Sequence, residues 1–507
     1  MTEAACQSDA GAGQLQVTRE QETELCHYLR THTGIVIQEH QRDNLRATLQ
    51  RAVARFGYAQ ADDYILRLRE CSPDSEELEF LIANVTVGES YFFRDKIQME
   101  FLRTGWLPQL MARKKGQPGS IRIWSAGCSH GQEIYSLAIM LRETLPNAAR
   151  WNLQLHATDI NVEALSAAVA ARYSTWSFRA TPETMYERYF KREDNEYQLN
   201  DEIRAMVNFS YLNLVEDEFP MIAGGLHSMD LILCRNVFIY FDAATVAAVM
   251  KKFARCLAPG GVLMLGGADL VNTDIEGLEL KQAGGVFYYR HTPTGPVVVI
   301  HEPESGALDD ITDADYVPEH APHDEAAQDA ATPGDTNSIE TVARLVQQQR
   351  MAECLVVADR YIATQGENAA VLLHKASALA SLGRLEEAQQ LSHKAVALEP
   401  MEKHAHFLNA LVLIERNDLG AAESGMRKSL YIDPRFLEAH YQLGLLQLRQ
   451  GRREQGVKSL MNALQVAETG DPEHAIHGAP EMTYRRMADV LRKEIEIYGS
   501  TVTEQLQ

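Results

Sequence analysis

Positive charge is scarce in this chain. Its 507 residues hold 48 Lys and Arg against 70 Asp and Glu, a net charge of −22. General nucleic-acid binding needs a basic footprint, so this balance argues against it and leaves room only for a local basic patch. Cysteine is sparse too. The 7 cysteines are scattered, with no C-x-x-C pair and no Cys/His cluster at zinc spacing. No disulfide framework and no metal site is expected, and a reducing compartment fits. Long apolar runs are also missing. None approaches the roughly 18 residues that would cross a bilayer, so no membrane insertion is expected. The opening MTEAACQSDAGAGQLQ has neither a positive region nor an apolar core, so it does not read as a signal peptide. What remains is ordinary folded-protein composition, 45% apolar and 23% charged. The expectation is a cytoplasmic protein of about three domains.

Composition divides the chain into four segments. Residues 15–94 read as a helical domain. In "RDNLRATLQRAVARFGY", Leu45, Leu49, Ala52 and Phe56 share one helical face, and Arg42, Arg46, Arg51 and Arg55 lie around it. Residues 95–291 alternate short apolar strands with helical stretches, the pattern of a doubly wound α/β domain. The expected strands begin at Ile121, Leu153, Val207, Met229, Gly261 and Val286. Residues 292–337 contain no Lys or Arg and recur in Asp, Ala, Pro and Gly. Such a stretch cannot bury enough apolar surface to order itself, so a disordered acidic linker is expected. Residues 338–507 repeat at a spacing of 34. Ala376, Ala410 and Gly444 match, as do Gly383, Asn417 and Gly451, then Ala388, Ala422 and Gly456, then Ala395, Ser429 and Ala463, and Pro400 with Pro434. Small residues at these offsets let paired helices pack closely, and Gly or Asn suits the turn between them. The period resembles the tetratricopeptide repeat (TPR) and implies an all-α solenoid of three matching units from about Ala369 to Thr469. A degenerate unit is expected near Ile339 to Gln365, and a capping helix between Pro480 and Tyr498.

"IRIWSAGCSHGQEIYSLAI", Ile121 to Ile139, reads as strand, glycine turn and helix. It is not a Walker loop, because Gln132 and Glu133 follow Gly131 where Lys and Ser or Thr would stand. It is not a dinucleotide fingerprint, because only Gly127 and Gly131 are present. Glu133 puts a carboxylate where a phosphate would sit. A phosphate-free ligand with a cationic part fits better, and S-adenosylmethionine (SAM) is one; an ordinary strand-to-helix turn is the other reading. Asp159 ends the second strand, where it would accept from ribose hydroxyls or cap the next helix. Asn213 after the third strand would pair with an adenine edge or serve as turn chemistry. Arg235 and Asn236 follow the fourth strand, at the crevice of an open α/β sheet. "VTVGESYFFRDK", Val85 to Lys96, reads as a core anchor with a surface Arg or as part of the same site.

Together GESYFFRD, IWSAGCSHGQEIYSLAI, ATDIN, YLNL, LILCRNVFIYF and LAPGGVLMLGG resemble, in order and spacing, the CheR-type chemoreceptor methyltransferases, including those that carry a C-terminal TPR array. The resemblance implies a Rossmann-like SAM-dependent methyltransferase domain behind a helical N-terminal domain. It implies methyl transfer from SAM to glutamyl carboxylates on the cytoplasmic part of a chemoreceptor-like protein, in chemosensory signalling. Arg94 and Tyr240 fall at catalytic positions. Gly88, Ser90, Arg94, Gly127, Glu133, Asp159, Asn213, Leu214, Arg235 and Asn236 fall at cofactor-binding ones. Many members have Asn at the place of Gly88 and Thr at that of Ser90. Ile134 and the Gly267-Ala268-Asp269 turn also depart from the pattern. The arginines Arg42, Arg46, Arg51 and Arg55 would steer toward acidic receptor helices. The stretch Phe190 to Phe209 is short for the hairpin with which some members grip a receptor tail, so no such docking is expected. The array offers a concave groove for an unidentified protein ligand. It could instead bind its own transferase domain or make dimers. The rival functions are a binding protein with a weak or inactive transferase domain, and a methyltransferase for another substrate.

Overall fold

The computed structural model describes residues 17–292 and 338–504, except 71–74, 87, 115–118, 146–150, 182, 221–224, 268, 270–274, 348–349, 383 and 477–478. The expected acidic linker therefore lies, from residue 293 on, outside the described residues, as does Gly383 of the repeat.

Four helices come first: α1 (Arg19–Thr33), α2 (Arg42–Phe56), α3 (Ala61–Glu70) and α4 (Glu76–Val85). Thr18 opens α1 through a reciprocal capping box with Gln21, and Gly34, at φ 73°, ends it. Their core is their own: Leu25, Leu29, Leu45, Leu49, Tyr64, Leu68 and Leu81 pack together. Phe92 leaves that core and joins the next one, stacked on Phe178 and edge-on to Tyr173 and Phe190.

The α/β domain follows with α5 (Lys96–Phe101), α6 (Leu107–Arg113), β1 (Ser120–Ala126), α7 (Gln132–Thr144), β2 (Asn152–Asp159) and α8 (Val162–Ala170). Next come β3 (Arg172–Ser174), α9 (Glu183–Tyr189), β4 (Phe190–Glu193), β5 (Glu196–Leu199), α10 (Asp201–Arg204) and β6 (Val207–Tyr211). It closes with β7 (Met229–Cys234), α11 (Ala243–Cys256), β8 (Leu257–Leu265), β9 (Leu278–Ala283) and β10 (Val286–His291). The main sheet has the order β6-β2-β1-β7-β8-β10-β9. β6, β2, β1, β7 and β8 run parallel, and β10 is antiparallel to β8 and β9. Both faces of β1 are covered: Ile121 and Ile123 belong to one core cluster, Trp124 and Ala126 to the other. The chain winds from β1 out to β6, then returns to β7 on the other side of β1. That reversal opens a crevice at the carboxyl ends of β1 and β7.

Two features differ from the strand expectations. β9, "LELKQA", is a charged edge strand whose residues are mostly solvent-facing, so it lacks an apolar signal. The short strands β3, β5 and β4 form a separate three-stranded sheet. Its β4–β5 hairpin turns through Asp194 and Asn195 between strands of 4 residues each.

The C-terminal region is a stack of helix pairs: α12 (Ile339–Gln347) with α13 (Met351–Gln365), α14 (Ala369–Ser381) with α15 (Leu385–Leu398), α16 (Lys403–Glu415) with α17 (Leu419–Ile432), and α18 (Leu437–Arg449) with α19 (Arg453–Thr469). The repeat positions are where helices touch. Ala376, Ala410, Ala388, Ala422, Ala395, Ser429 and Ala463 are all fully buried. A Cβ on Gly444 would lie 2.7 Å from Leu460 Cδ2, and one on Gly456 as close to Leu448 Cγ. Asn417 and Gly451 have φ of 61° and 74°, the turn geometry that their residue types suit. A small hairpin, β11 (Ala475–Ile476) with β12 (Ala479–Thr483), leads into the capping helix α20 (Tyr484–Glu504).

This stack lies against the amino ends of the transferase strands. Glu415, at the end of α16, pairs with the buried Arg122 of β1 and accepts from Gln154 Nε2 of β2 at 2.9 Å. Asn152 donates to the Glu415 carbonyl and receives Arg449 Nη2 at 3.1 Å. Ser228 Oγ donates to Ser381 O at 2.6 Å. Across a shared cavity α14, α16 and α18 face Gln154, His156, Asn208 and His227. The groove expected to receive a separate protein ligand is thus turned toward the chain's own transferase domain. Burial and the nearby Arg122 and Arg449 guanidiniums hold the His156 imidazole down at about 3. Meanwhile α20 runs along the edge strand β6. Tyr498 Oη donates to Phe209 O at 2.7 Å and accepts from Phe209 N at 3.2 Å, closing an otherwise open sheet edge.

Candidate active site

The crevice is lined by the loops after β1, β2, β6 and β7, by the 86–94 turn, and by Thr33 and Ile35 from the end of α1. Gly127, at φ 78°, turns the chain out of β1, and a Cβ there would sit 2.4 Å from Val237 Cγ2. The floor between two loops is therefore open only because residue 127 has no side chain.

Asp159 ties that turn to the next. Its Oδ2 accepts from Ser129 N at 2.8 Å and its Oδ1 from Asn161 N at 2.9 Å. It does not cap α8; Asn161 does, accepting from Ala164 N at 3.0 Å. Asn161 also donates to Thr86 Oγ1 at 3.1 Å, fastening the 86–94 turn to the loop after β2. Burial pushes the Asp159 carboxyl above its ordinary range, opposed by these backbone N–H groups.

Glu133, in the first turn of α7, accepts from Ser125 Oγ at 2.7 Å and from Arg235 Nη1 at 3.0 Å. Arg235, 8% exposed, also donates to Arg94 O at 3.0 Å. It therefore acts as a post, fixing Glu133 on one side and the 86–94 turn on the other. In that turn Phe93 and Asp95 have φ of 55° and 63°. Such backbone persists only where its surroundings hold it, as Phe92 and Arg235 do here. Arg94 is left at the cleft rim with Nη1 on Glu89 O at 2.6 Å. Ser90 and Tyr240 also line the cleft. Gly88 has a physical reason to be glycine: a Cβ would lie 2.8 Å from His130 Cε1. An Asn in that place would need His130 to move.

Asn213 lines the cleft and also serves turn chemistry. Its Oδ1 accepts from Val215 N at 3.0 Å, and its Nδ2 donates to His32 O at 2.7 Å. Its side chain fixes its own loop and the end of α1, while Leu214 beside it lines the cleft. Asn236, at φ 61°, is held by its N–H on Asp269. Asp269 was passed over in the sequence. It is 3% exposed and also accepts from Ile239 N at 3.0 Å and Gly266 N at 3.2 Å. It organises the whole turn that carries Asn236 and Tyr240; an acid just after a Gly-Gly strand end was the available signal. Thr33 and Ile35 were missed as well, because nothing local marks the end of a distant helix as a cleft wall.

Arg42, Arg46, Arg51 and Arg55 lie outside this cleft, on α2. Arg42 and Arg46 both pair with the buried Glu22, at 2.8 and 3.0 Å. Arg51 donates to Thr48 Oγ1 at 3.0 Å, and Arg55 lies over Phe80 with 5.0 Å to the ring centre.

Comparison with known proteins agrees with this construction. Residues 88–283 match the family "CheR methyltransferase, SAM binding domain", and residues 437–469 match a tetratricopeptide repeat. The chain is 33% identical over 249 residues to chemotaxis protein methyltransferase 2 of Vibrio cholerae, covering 84% of that protein and 48% of this one. It is 33% identical over 237 residues to the chemotaxis protein methyltransferase of Klebsiella aerogenes, covering 77% of it and 46% of this chain. The relative from Borreliella burgdorferi is 29% identical over 260 residues, 90% of its length and 51% of this chain. The cleft lacks phosphate-loop geometry and keeps two carboxylates, Glu133 and Asp159, beside an open glycine turn, which fits a cationic nucleoside such as SAM. The chain belongs to the CheR family of chemotaxis protein methyltransferases, with S-adenosylmethionine as the methyl donor and a TPR array joined to the transferase fold.

Proposed function

We propose that this protein is a cytoplasmic protein-glutamate O-methyltransferase that esterifies glutamyl side chains on the cytoplasmic domain of a chemoreceptor-like protein. The observation that carries the reading is the make-up of the cleft. Among the described residues lining it there is no histidine and no lysine. Its carboxylates Glu133, Asp159 and Glu89 are engaged by Ser125 and Arg235, by two backbone N–H groups, and by Arg179, respectively. An amine or hydroxyl substrate would need a base to remove its proton. A glutamyl carboxylate is already ionised near neutral pH and needs none.

The methyl donor supplies an electrophilic methyl on a sulfonium. The chain's own residues then position and exclude. Asp159 accepts from the ribose side, with Leu214 and Ile160 as apolar walls. Glu133, braced by Arg235, keeps negative charge near the cation. Arg94 at the rim orients the incoming carboxylate by a charge-assisted hydrogen bond, and Tyr240 lines the same cleft. Rate enhancement comes mainly from holding carboxylate, methyl and sulfur in line.

Purified protein incubated with labelled SAM and membranes bearing candidate receptors tests this. Base-labile label on a receptor band is the expected result. Label on another protein or a small molecule would replace the substrate, and SAM binding with no transfer to any acceptor would favour the binding-protein reading. Arg94→Ala is expected to cut transfer at least about tenfold while leaving the melting temperature and donor affinity near wild type. A mutant with normal turnover would remove Arg94 from the mechanism.

A further inference from the structure

The capping helix of the array reaches the cofactor cleft through one buried carboxylate. Arg486, in the first turn of α20, donates from Nε to Asp217 Oδ1 at 2.6 Å, and its Nη2 lies 2.5 Å from the same oxygen. The Asp217 side chain is 1% exposed. Its other oxygen accepts from Asn213 N at 2.7 Å, and its own N–H returns to Asn213 O at 2.9 Å. Asp217 thus closes the 213–217 loop into a ring. Asn213 and Leu214 in that ring wall the cleft, and the Asn213 amide holds His32 O just before Thr33 and Ile35, which wall it from the other side.

A carboxylate this buried is costly without a cation. If α20 leaves, Asp217 must turn to water, which weakens its hold on Asn213 N. We propose that Arg486 is a positioning residue for the methyl-donor site, so that docking of the TPR array and binding of the donor are thermodynamically coupled through Arg486, Asp217 and Asn213. The inference rests on the cleft being where the donor binds. Coupling of this kind is reciprocal: the donor or its demethylated product tightens α20 by the factor with which docked α20 tightens the ligand. A partner that pulls the array away would then lower donor affinity without touching the cleft.

Calorimetry with S-adenosylhomocysteine on the full chain tests it. Arg486→Ala is expected to raise Kd roughly tenfold or more, since a charge-assisted bond to a buried acid is lost. Arg486→Lys should recover part of that. In turnover assays the donor KM should rise while kcat at saturating donor stays near wild type, a split that general loosening of the fold would not give. Arg485→Ala removes an exposed α20 pair with Glu473 and should leave Kd unchanged. Hydrogen exchange on the wild-type chain needs no variant: the product should slow amide exchange in the first turns of α20. An Arg486→Ala protein with wild-type Kd overturns the proposal, as does α20 exchange that ignores the ligand. If the wild-type chain binds no product at all, the cleft reading falls first and the inference with it.

Discussion

At the carboxyl ends of the parallel strands, Glu133, Asp159, Arg235 and Asp269 are all held by groups of the transferase domain itself. At the amino ends of the same strands, Arg122 is completed by Glu415, a residue almost three hundred positions later in the chain. The first end is a frame around an open cleft, built within the transferase domain and touched by the array only where Arg486 meets Asp217. The second is a half-site whose missing charge arrives with the TPR array. Loops at the cleft end can therefore vary their contents without undoing the fold, whereas the amino end binds this particular array through a buried ion pair.

Removing Glu415 should produce the largest effect, because it breaks the comparison at its weaker end. Glu415→Ala leaves the Arg122 guanidinium, 5% exposed, without its carboxylate. Loss of one partner from a buried pair costs about 3–5 kcal/mol. The array should swing away while the transferase core stays folded. Small-angle scattering should then show an expanded chain with unchanged helix content by circular dichroism. A scattering profile identical to wild type would mean that the amino end does not depend on the array after all.

Glu494 sharpens the contrast, since it is a buried acid with no cation. It is fully buried in α20 and, among the described residues, receives a hydrogen bond from Tyr441 Oη at 3.1 Å. Burial pushes its carboxyl from 4.5 up to about 8. The folded chain therefore keeps a proton that the unfolded chain gives up. Its contribution is complete below about pH 4.5 and is lost progressively as pH rises toward 8. Stability of the α20 region should fall by up to about 3 kcal/mol between mildly acidic and neutral pH. Glu494→Gln should flatten that slope and raise the melting temperature at pH 8. A slope unchanged by the substitution would assign the pH dependence to other groups.

The two ends also differ in how far the sequence announced them. The cleft was legible because its residues sit beside strand ends in short motifs: Glu133 after Gly131, Asp159 closing "ATD", Arg235 in "CRN". The array was legible through its period, since Ala376, Ala410 and Gly444 occupy one contact in three successive units. What the sequence did not reveal was how the parts meet. Arg122 lies inside a hydrophobic strand pattern, and nothing near it points to Glu415. Arg486 lies in a plain amphipathic helix, and Asp217 in an unremarkable acidic turn. Contacts between distant segments leave no local periodicity, so only the folded chain displays them. The same reason explains Asn213, which lines the cleft and whose amide also meets the His32 carbonyl.

Asp159 tests the cleft end. Both its oxygens already bond backbone N–H groups, so Asp159→Ala removes a ribose acceptor and a loop tie together. Affinity for S-adenosylhomocysteine should fall by about 2 kcal/mol, some thirtyfold, while docking of the array, read by scattering, stays as in wild type. Unchanged affinity would take Asp159 out of the cofactor site. Undocking of the array in this variant would show that Asp159 supports the array's contacts as well as the cleft.

The smallest effect concerns the basic helix α2, which belongs to neither end. Its four arginines were expected to steer the enzyme toward acidic receptor helices. Arg42 and Arg46 are poor probes of that, because both neutralise Glu22, whose side chain is 6% exposed. Reversing either would set two carboxylates against each other inside the helical domain and confuse folding with recognition. Arg51 and Arg55 are exposed, and among the described residues they hold hydroxyl, carbonyl and ring contacts. Arg51→Glu with Arg55→Glu is therefore the informative pair. If α2 steers, the double variant should lower kcat/KM for receptor a few-fold at low salt, leave donor affinity untouched, and lose most of the salt dependence that wild type shows, because screening removes long-range attraction between exposed charges. Equal activity of the two proteins at low salt would mean that these arginines are only the solvated face of a helix, and that recognition of the substrate lies in the rim around Arg94 and Tyr240.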